Sequence, residues 1–436
     1  MDEELLHFFW NSKFLLGRTL WTTAGESLHI LDPGQSNPHQ GPDFLMGRLL
    51  VDEVLWVGPI EIHLNSSDWN YHGHSDDPHY RNVVLHVVYE EDVPVFINGR
   101  RIYCLELKKH FPRDLLLRYN SLMSASWKIP CHAHLFTLNS SLKTIALERL
   151  MVERFEHKVT SYLEDLQKMN GDWERLLLSN ICKYLFSPVN TPGIQVLLEW
   201  LNPSLLKKYF SDLESLEAIL FGCSNLIPDD PIDSYPVGLK SSFLYLQHKL
   251  NLPVMQRVEW KFLRMRPSHF PTIRLAQLAQ LLHARQNWFS SLMEMQSLQE
   301  YYAFFQANVS EYWKTHYQLD GVSHVNKNKN IGKNTIDVLL INAFLPILFA
   351  YGKLYAEPKI CDRAFEYLQS LKAENNFICR MWKNYNFAFE HAGHSQGGIQ
   401  LFQSYCAHKK CIRCLIGVNL LRPEGSSIAN QADFSP

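Results

Sequence analysis

GPDFLMGRLLVDEVLWVGPIEIHLNSSDWNYHGHSDDPHYRNVVLHVVY, residues 41–89, holds the densest chemistry in the chain, and its pattern sets the fold expected of the first part. Two apolar runs, 44–51 and 54–64, flank Asp52-Glu53, which predicts two paired strands. In the second run Ile60, Ile62 and Leu64 alternate with Glu61, His63 and Asn65, so Glu61 and His63 project from one face. The hairpin pairing brings Asp43 toward Glu61. Two carboxylates and an imidazole meeting near a strand end can hold a hard divalent cation and position a water for metal-assisted hydrolysis. Just downstream, His72, His74, Asp76, Asp77 and His79 crowd one short loop, and their density beside Asp43 and Glu61 makes His72 and His74 candidates for the same site. His86, inside the apolar run 83–89, reads either as a core histidine or as an inward-facing imidazole next to that site.

The rest of the chain bounds the class. Its 436 residues, 46% of them hydrophobic, suffice for two or three domains. Forty-two Lys and Arg against forty-four Asp and Glu give a net charge of -2, which excludes a global electrostatic drive toward nucleic acid or anionic lipid. A basic surface must then be local, as at Arg100-Arg101, Lys108-Lys109, 260–266 or Lys409-Lys410. The opening MDEELLHFFWNSKFLL starts with acids and lacks the pattern of a signal peptide, and the longest apolar stretch, 338–351, is interrupted by Asn342 and Pro346 and is shorter than a bilayer span. No membrane association and a cytoplasmic location are therefore expected. Nine cysteines, an odd count, point to free thiols and metal ligation ahead of a disulfide framework.

Strand-like runs dominate up to about residue 130: 27–31, the hairpin, 83–89, and 93–97 joined through Asn98-Gly99 to 101–107, with helical segments at 3–15 and 114–123. Beyond Ser140 the spacing of Leu142, Ile145, Val152, Phe155, Val159, Tyr162 and Leu166 is helical. The expected class is α+β: an α/β domain over 1–130, a larger all-helical domain over 131–422 and a polar disordered tail over 423–436. Near the end of the helical part, Cys406, Cys411 and Cys414 have a spacing suited to a thiolate metal site, with Cys131, Cys379 and His408 as candidates for the fourth ligand. Zn²⁺ and a [4Fe-4S] cluster both accept four thiolates, and spacing does not choose between them.

These residues carry a resemblance. Pro42-Asp43, then Glu61-Ile62-His63 on the partner strand, resembles the PD-(D/E)xK nuclease superfamily, with histidine where its lysine stands. Trp69, His72 and His74 are similar to the histidine-bearing loop of very-short-patch-repair-like endonucleases. Over nearly the full length, GPDF, EIHLNSSDWNYHGHSDDPHY, NVVLHVVYEED, RPSHFP and YCAHKKCIRCLIG resemble a bacterial family described only as a domain of unknown function.

The nuclease resemblance implies a restriction-endonuclease-like core in which Asp43 and Glu61 hold Mg²⁺ or Mn²⁺ against a scissile phosphate of DNA or RNA, in DNA processing or repair. Glu4, or its neighbour Glu3, would add an acid from the first helix. His63 departs from the pattern and would serve either as a base or as a third metal ligand. Some of these nucleases also hold an iron-sulfur cluster with three C-terminal cysteines and a distant one. That favours Cys131, although here it follows the catalytic strands instead of preceding them. The expected function is a metal-dependent nucleic-acid phosphodiesterase. The alternative is a catalytically inactive nucleic-acid-binding or scaffold protein with a structural metal site.

Overall fold

The computed structural model describes residues 2–201, 203–256, 260–306 and 308–422, so the expected tail over 423–436 lies outside the described residues. The chain is α+β and divides into two compact units, Met1–Lys143 with the segment from Leu401 onward, and Thr144–Gln400.

The first unit is built on a mixed sheet. Helix α1, Glu3–Asn11, opens it with Asp2 accepting the Leu5 N–H at 3.0 Å, and it buries Leu5, Leu6, Phe9 and Trp10. Strands β1 (Leu20–Trp21), β2 (Ser27–Asp32), β3 (Gln35–Ser36), β4 (Phe44–Val51) and β5 (Val54–Asn65) pair antiparallel, β3 with β4. After the short helix α2 (Asp68–Tyr71), β6 (Leu85–Glu90) lies parallel to β5. The expected run 101–107 breaks in two. Strands β7 (Phe96–Ile97) and β8 (Arg100–Arg101) close a small hairpin whose Asn98 and Gly99 both have positive φ, while β9 (Cys104–Glu106) pairs parallel with β6. The main sheet order is thus β1-β2-β4-β5-β6-β9.

Two local features aim the sheet at one point. The β4/β5 register slips between Phe44 and Gly47, with Met46 at φ 59°. Such a bulge bends a strand and redirects its neighbours. Gly47 is required there, because a Cβ would stand 2.3 Å from Cδ1 of the fully buried Ile60. Parallel pairing of β6 with β5 then sets His86 beside Glu61 on the same face.

Helices α3 (Arg113–Ser124) and α4 (Ser140–Lys168) follow. The sequence placed the domain border at 130 and the terminal cysteines in the helical part. Instead, the border falls inside the first turn of α4, and the chain after Leu401 returns to the sheet-bearing unit. The attachments are polar and specific: Arg118 on α3 donates to the carbonyl of Arg422 at 3.0 Å, and Arg413 pairs with Glu4 at 2.7 Å. Partners this distant in sequence leave no trace in local periodicity.

The second unit is mostly helical, not all-helical as expected, since strands His316–Gln318 and Gly321–Val322 pair antiparallel in it, and its one apolar core includes Phe155, Phe221, Trp288, Tyr301, Trp313 and Phe344. Its central helix spans Lys333–Leu354, 22 residues, and is long and apolar enough to cross a membrane, although 78% of its apolar window is buried within the protein. The expectation that this stretch is too short to span is corrected. Pro346 does not end the helix, because the turn before it widens into a π segment, Leu340–Phe344. Proline cannot donate to the carbonyl four residues back, that of Asn342. The Tyr162 hydroxyl donates to this carbonyl at 3.1 Å instead. Tyr162→Phe should therefore destabilise the helical unit by about 1–3 kcal/mol, the cost of a buried acceptor left unpaired, measured by denaturant unfolding. In a Pro346→Ala background the same substitution should cost much less.

Candidate metal centre

Asp43 and Glu61 are locked together across the β4/β5 hairpin. The Asp43 N–H donates to Glu61 Oε2 at 3.0 Å, and the Ile62 N–H donates to Asp43 Oδ2 at 2.9 Å. Each carboxylate thus spends one oxygen on the neighbouring strand's backbone, which fixes its direction. The free Oε1 of Glu61 lies 3.5 Å from His63 Nε2 and 3.3 Å from His74 Nε2, and His72 Nδ1 lies 3.2 Å from His63 Nε2. The ligand nitrogens of His63, His72 and His74 all fall within 4.8 Å of one another.

The loop that delivers His72 and His74 is pinned by a small core of Trp69, Tyr80, Val83, Val95 and Ile102. Trp69 is fully buried and donates its indole N–H to Ser75 at 3.1 Å, while Tyr80 stacks on the His74 ring with centroids 3.8 Å apart. Asp68 accepts the Asn65 N–H at 3.0 Å and so closes the turn into the loop. Asp77 and His79 bond to each other at 2.7 Å on the exposed side and have a turn-forming role.

The charges around this cluster are unbalanced. Burial first, then the Asp43 charge, pushes the Glu61 carboxyl up to about 9. Burial, reinforced by the imidazoles of His86, His74 and His72, pushes His63 down to about 2, and burial drives His86 to about 3. His74 is likewise lowered by burial and by His72. The contacts of His63 and His74 with Glu61 are therefore not ion pairs, despite their length. They join neutral rings to a buried carboxyl that keeps its proton unless a cation displaces it.

The His63, His72 and His74 nitrogens are close enough together to hold a divalent cation beside the Glu61 carboxyl. Donors about 2.0–2.1 Å from a tetrahedral Zn²⁺ lie about 3.3–3.4 Å apart; His72 and His63 are 3.2 Å apart, Glu61 Oε1 is 3.3 Å from His74 and 3.5 Å from His63, and the three histidine nitrogens as a group span up to 4.8 Å. Neutral imidazoles are also the ligand form that metals accept. His63 Nδ1 lies 2.9 Å from His86 Nε2. With His63 Nε2 turned to a metal, its proton sits on Nδ1 and is donated to His86, which fixes the ring.

The open side carries the remaining groups. His7 Nε2 is 3.4 Å from Asp43 Oδ2, with their side chains 33% and 25% exposed, and His72 is exposed. Burial opposes a charge on His7, but the hydrogen bond and charge of Asp43, with those of Glu3 and Glu4, outweigh it and raise its pKa. Glu3, not Glu4, faces this side: it interacts with His7, Asp43 and His72, whereas Glu4 is taken outward by Arg413. His7 was missed in the sequence, although it stands four residues from Glu3 and so shares its helix face.

Of the sequence candidates, the structure gathers Asp43, Glu61, His63, His72 and His74 at one point, with His86 behind them. Glu4 stays outside. Cys131, Cys406, Cys411 and Cys414 form a separate group in the same unit. A family model described as "Protein of unknown function (DUF2851)" matches residues 3–377. No curated protein and no solved structure matches the chain.

Two outcomes are expected. Binding must expel the Glu61 proton, so Zn²⁺ or Mn²⁺ affinity should rise about tenfold per pH unit below pH 9, read by calorimetric titration at several pH values. His86→Ala should weaken that affinity about 10–100-fold and also lower the unfolding temperature of the metal-free chain, because it empties a fully buried position.

Proposed function

The chain belongs to the family DUF2851, and for it we propose a metal-dependent phosphodiester hydrolase acting on nucleic acid, with a restriction-endonuclease-like core in the sheet-bearing unit. The observation that carries this reading is the convergence of the Glu61 carboxyl with His63, His72 and His74, beside an Asp43 held to the same strand. Three imidazoles and a carboxylate suit Zn²⁺, and Mn²⁺ better than Mg²⁺, which prefers an all-oxygen shell.

A bound cation would supply Lewis acidity toward a phosphoryl oxygen and acidify an attacking water. The chain's own residues do the rest. His63, buried and held neutral by its neighbours, serves as a ligand and not as a proton carrier. Asp43, held by its contacts with Glu61 and Ile62 and 3.4 Å from His7, orients the nucleophile. His7 can hold a proton next to Asp43 for transfer to the leaving oxygen.

Support for a nucleic-acid substrate comes from the overhanging end of β5. A cleft of about 810 Å³ is lined there by Trp56, Arg81, Asn82, Arg100 and Tyr103, and the Arg100 guanidinium lies 4.9 Å from the centre of the Trp56 ring. Aromatic and arginine planes of this kind stack on bases without reading sequence. Arg101, the other half of that basic pair, is bound to Glu91 at 3.0 Å.

The test is cleavage of single- and double-stranded DNA and RNA with added Mn²⁺ or Zn²⁺. Asp43→Asn and Glu61→Gln should each lower the rate about a hundredfold or more, and rates equal to the parent's would overturn the proposal. The pH profile should be bell-shaped. The acid limb reflects loss of the proton from Glu61 as metal binds. The alkaline limb reflects deprotonation of His7 above its raised pKa, and His7→Ala should remove that limb.

A further inference from the structure

Four of the nine cysteines gather in the sheet-bearing unit, although the chain between the first two passes through the whole of the helical unit. Cys131, Cys406, Cys411 and Cys414 are all buried, and none is in a disulfide. Cys131 is within electrostatic reach of Cys411 and Cys414, and Cys406 is within reach of all three others. None of the remaining five cysteines has another thiol among its electrostatic neighbours.

The backbone is folded to bring these sulfurs together. Cys406–His408 and Cys411–Arg413 are single 3₁₀ turns, joined through Lys409 in the left-handed region at φ 53°. The Lys410 N–H donates to the Tyr405 carbonyl at 3.0 Å and the Cys414 N–H to that of Cys411 at 3.2 Å, so the chain doubles back on itself. The helix Leu415–Leu421 then starts so close to the turn that a Cβ at Gly417 would stand 2.0 Å from the Cys411 carbonyl oxygen. Lys409 Nζ donates to the Met123 carbonyl at 2.6 Å, tying this knuckle to the end of α3, and Cys131 starts the 3₁₀ turn that follows α3.

A metal centre gives the arrangement a purpose. We propose that Cys131, Cys406, Cys411 and Cys414 together form a four-thiolate site for a thiophilic metal centre, distinct from the histidine centre, which clamps the end of the chain to the sheet-bearing unit. Four thiolates around a divalent ion carry an excess charge of -2. Lys409, Lys410 and Arg413 lie within the same segment to offset it, and Lys409 already favours the Cys411 thiolate against burial and Cys414. A mononuclear zinc shell places sulfurs about 3.8 Å apart. Among the described residues the histidines, and not these cysteines, form the group with all ligand atoms within 4.8 Å. A zinc ion therefore has to draw the thiols inward, whereas an iron-sulfur core fits between more widely set ones.

The test uses the full chain purified without oxygen, with Glu61→Gln and His72→Ala introduced to empty the histidine centre. About one equivalent of zinc, or iron with matching acid-labile sulfide and a broad visible absorption, should remain, and the two readouts separate the sources. Cys131→Ser and Cys414→Ser should each abolish it. Since such variants can fail to fold, the parent is also titrated with an organomercurial, and metal release should coincide with modification of these four cysteines and not of the other five. A metal-free chain in the emptied background, or metal retained in Cys131→Ser, or release unrelated to these thiols, would overturn the proposal.

Discussion

The buried carboxyl of Glu61 is the group on which the rest of the first unit depends. Removing a carboxylate from water costs several kcal/mol unless an opposite charge or a full set of hydrogen bonds compensates it. Here its nearest companions are neutral imidazoles and a second carboxylate. The fold keeps it there with a long hairpin, a bulge that only glycine permits at Gly47, and a parallel strand that adds His86 from behind. So much backbone holds a protonated acid among neutral rings, a set of groups that can exchange that proton for a cation.

The centre is asymmetric, and the asymmetry divides its labour. Toward the sheet lie His63, His86 and Trp69, all essentially without solvent contact. These set ring orientation and tautomer, and they keep the local dielectric low, which strengthens every charge interaction. Toward solvent lie Asp43, His7, Glu3 and His72, partly exposed and able to meet a substrate. A purely structural ion is commonly enclosed on all sides, whereas a reactive one keeps an open position.

Much of this centre was legible in the sequence because strand alternation is strict. Glu61 and His63 had to share a face, and the pairing of the two apolar runs had to bring Asp43 near. The short span from His63 to His74 likewise left the loop no room to travel. Other features depended on information that periodicity does not carry. Choosing Glu3 over Glu4 requires the helix's rotation about its axis, which is set by burial of Leu5, Leu6, Phe9 and Trp10 and by the pull of Arg413 from the far end of the chain. The length of helix Lys333–Leu354 was hidden because its proline depends on a tyrosine hydroxyl from α4. Asp43, Glu61, His63, His72 and His74 were all singled out in the sequence, and the structure places them near one another.

The return of the chain after Leu401 makes the helical unit an insertion between two parts of the sheet-bearing unit. A ribosome extruding this polypeptide delivers α1, the sheet and α3 first, then the complete helical unit, and only at the end the segment that covers α1 and α3. The first unit therefore cannot mature in the order of synthesis. Its early part waits, with the surface meant for Leu415–Leu421 uncovered, until the segment after Leu401 has been made. A chain cut before Leu401 lacks that cover and leaves the apolar surface of α1 and α3 open to solvent.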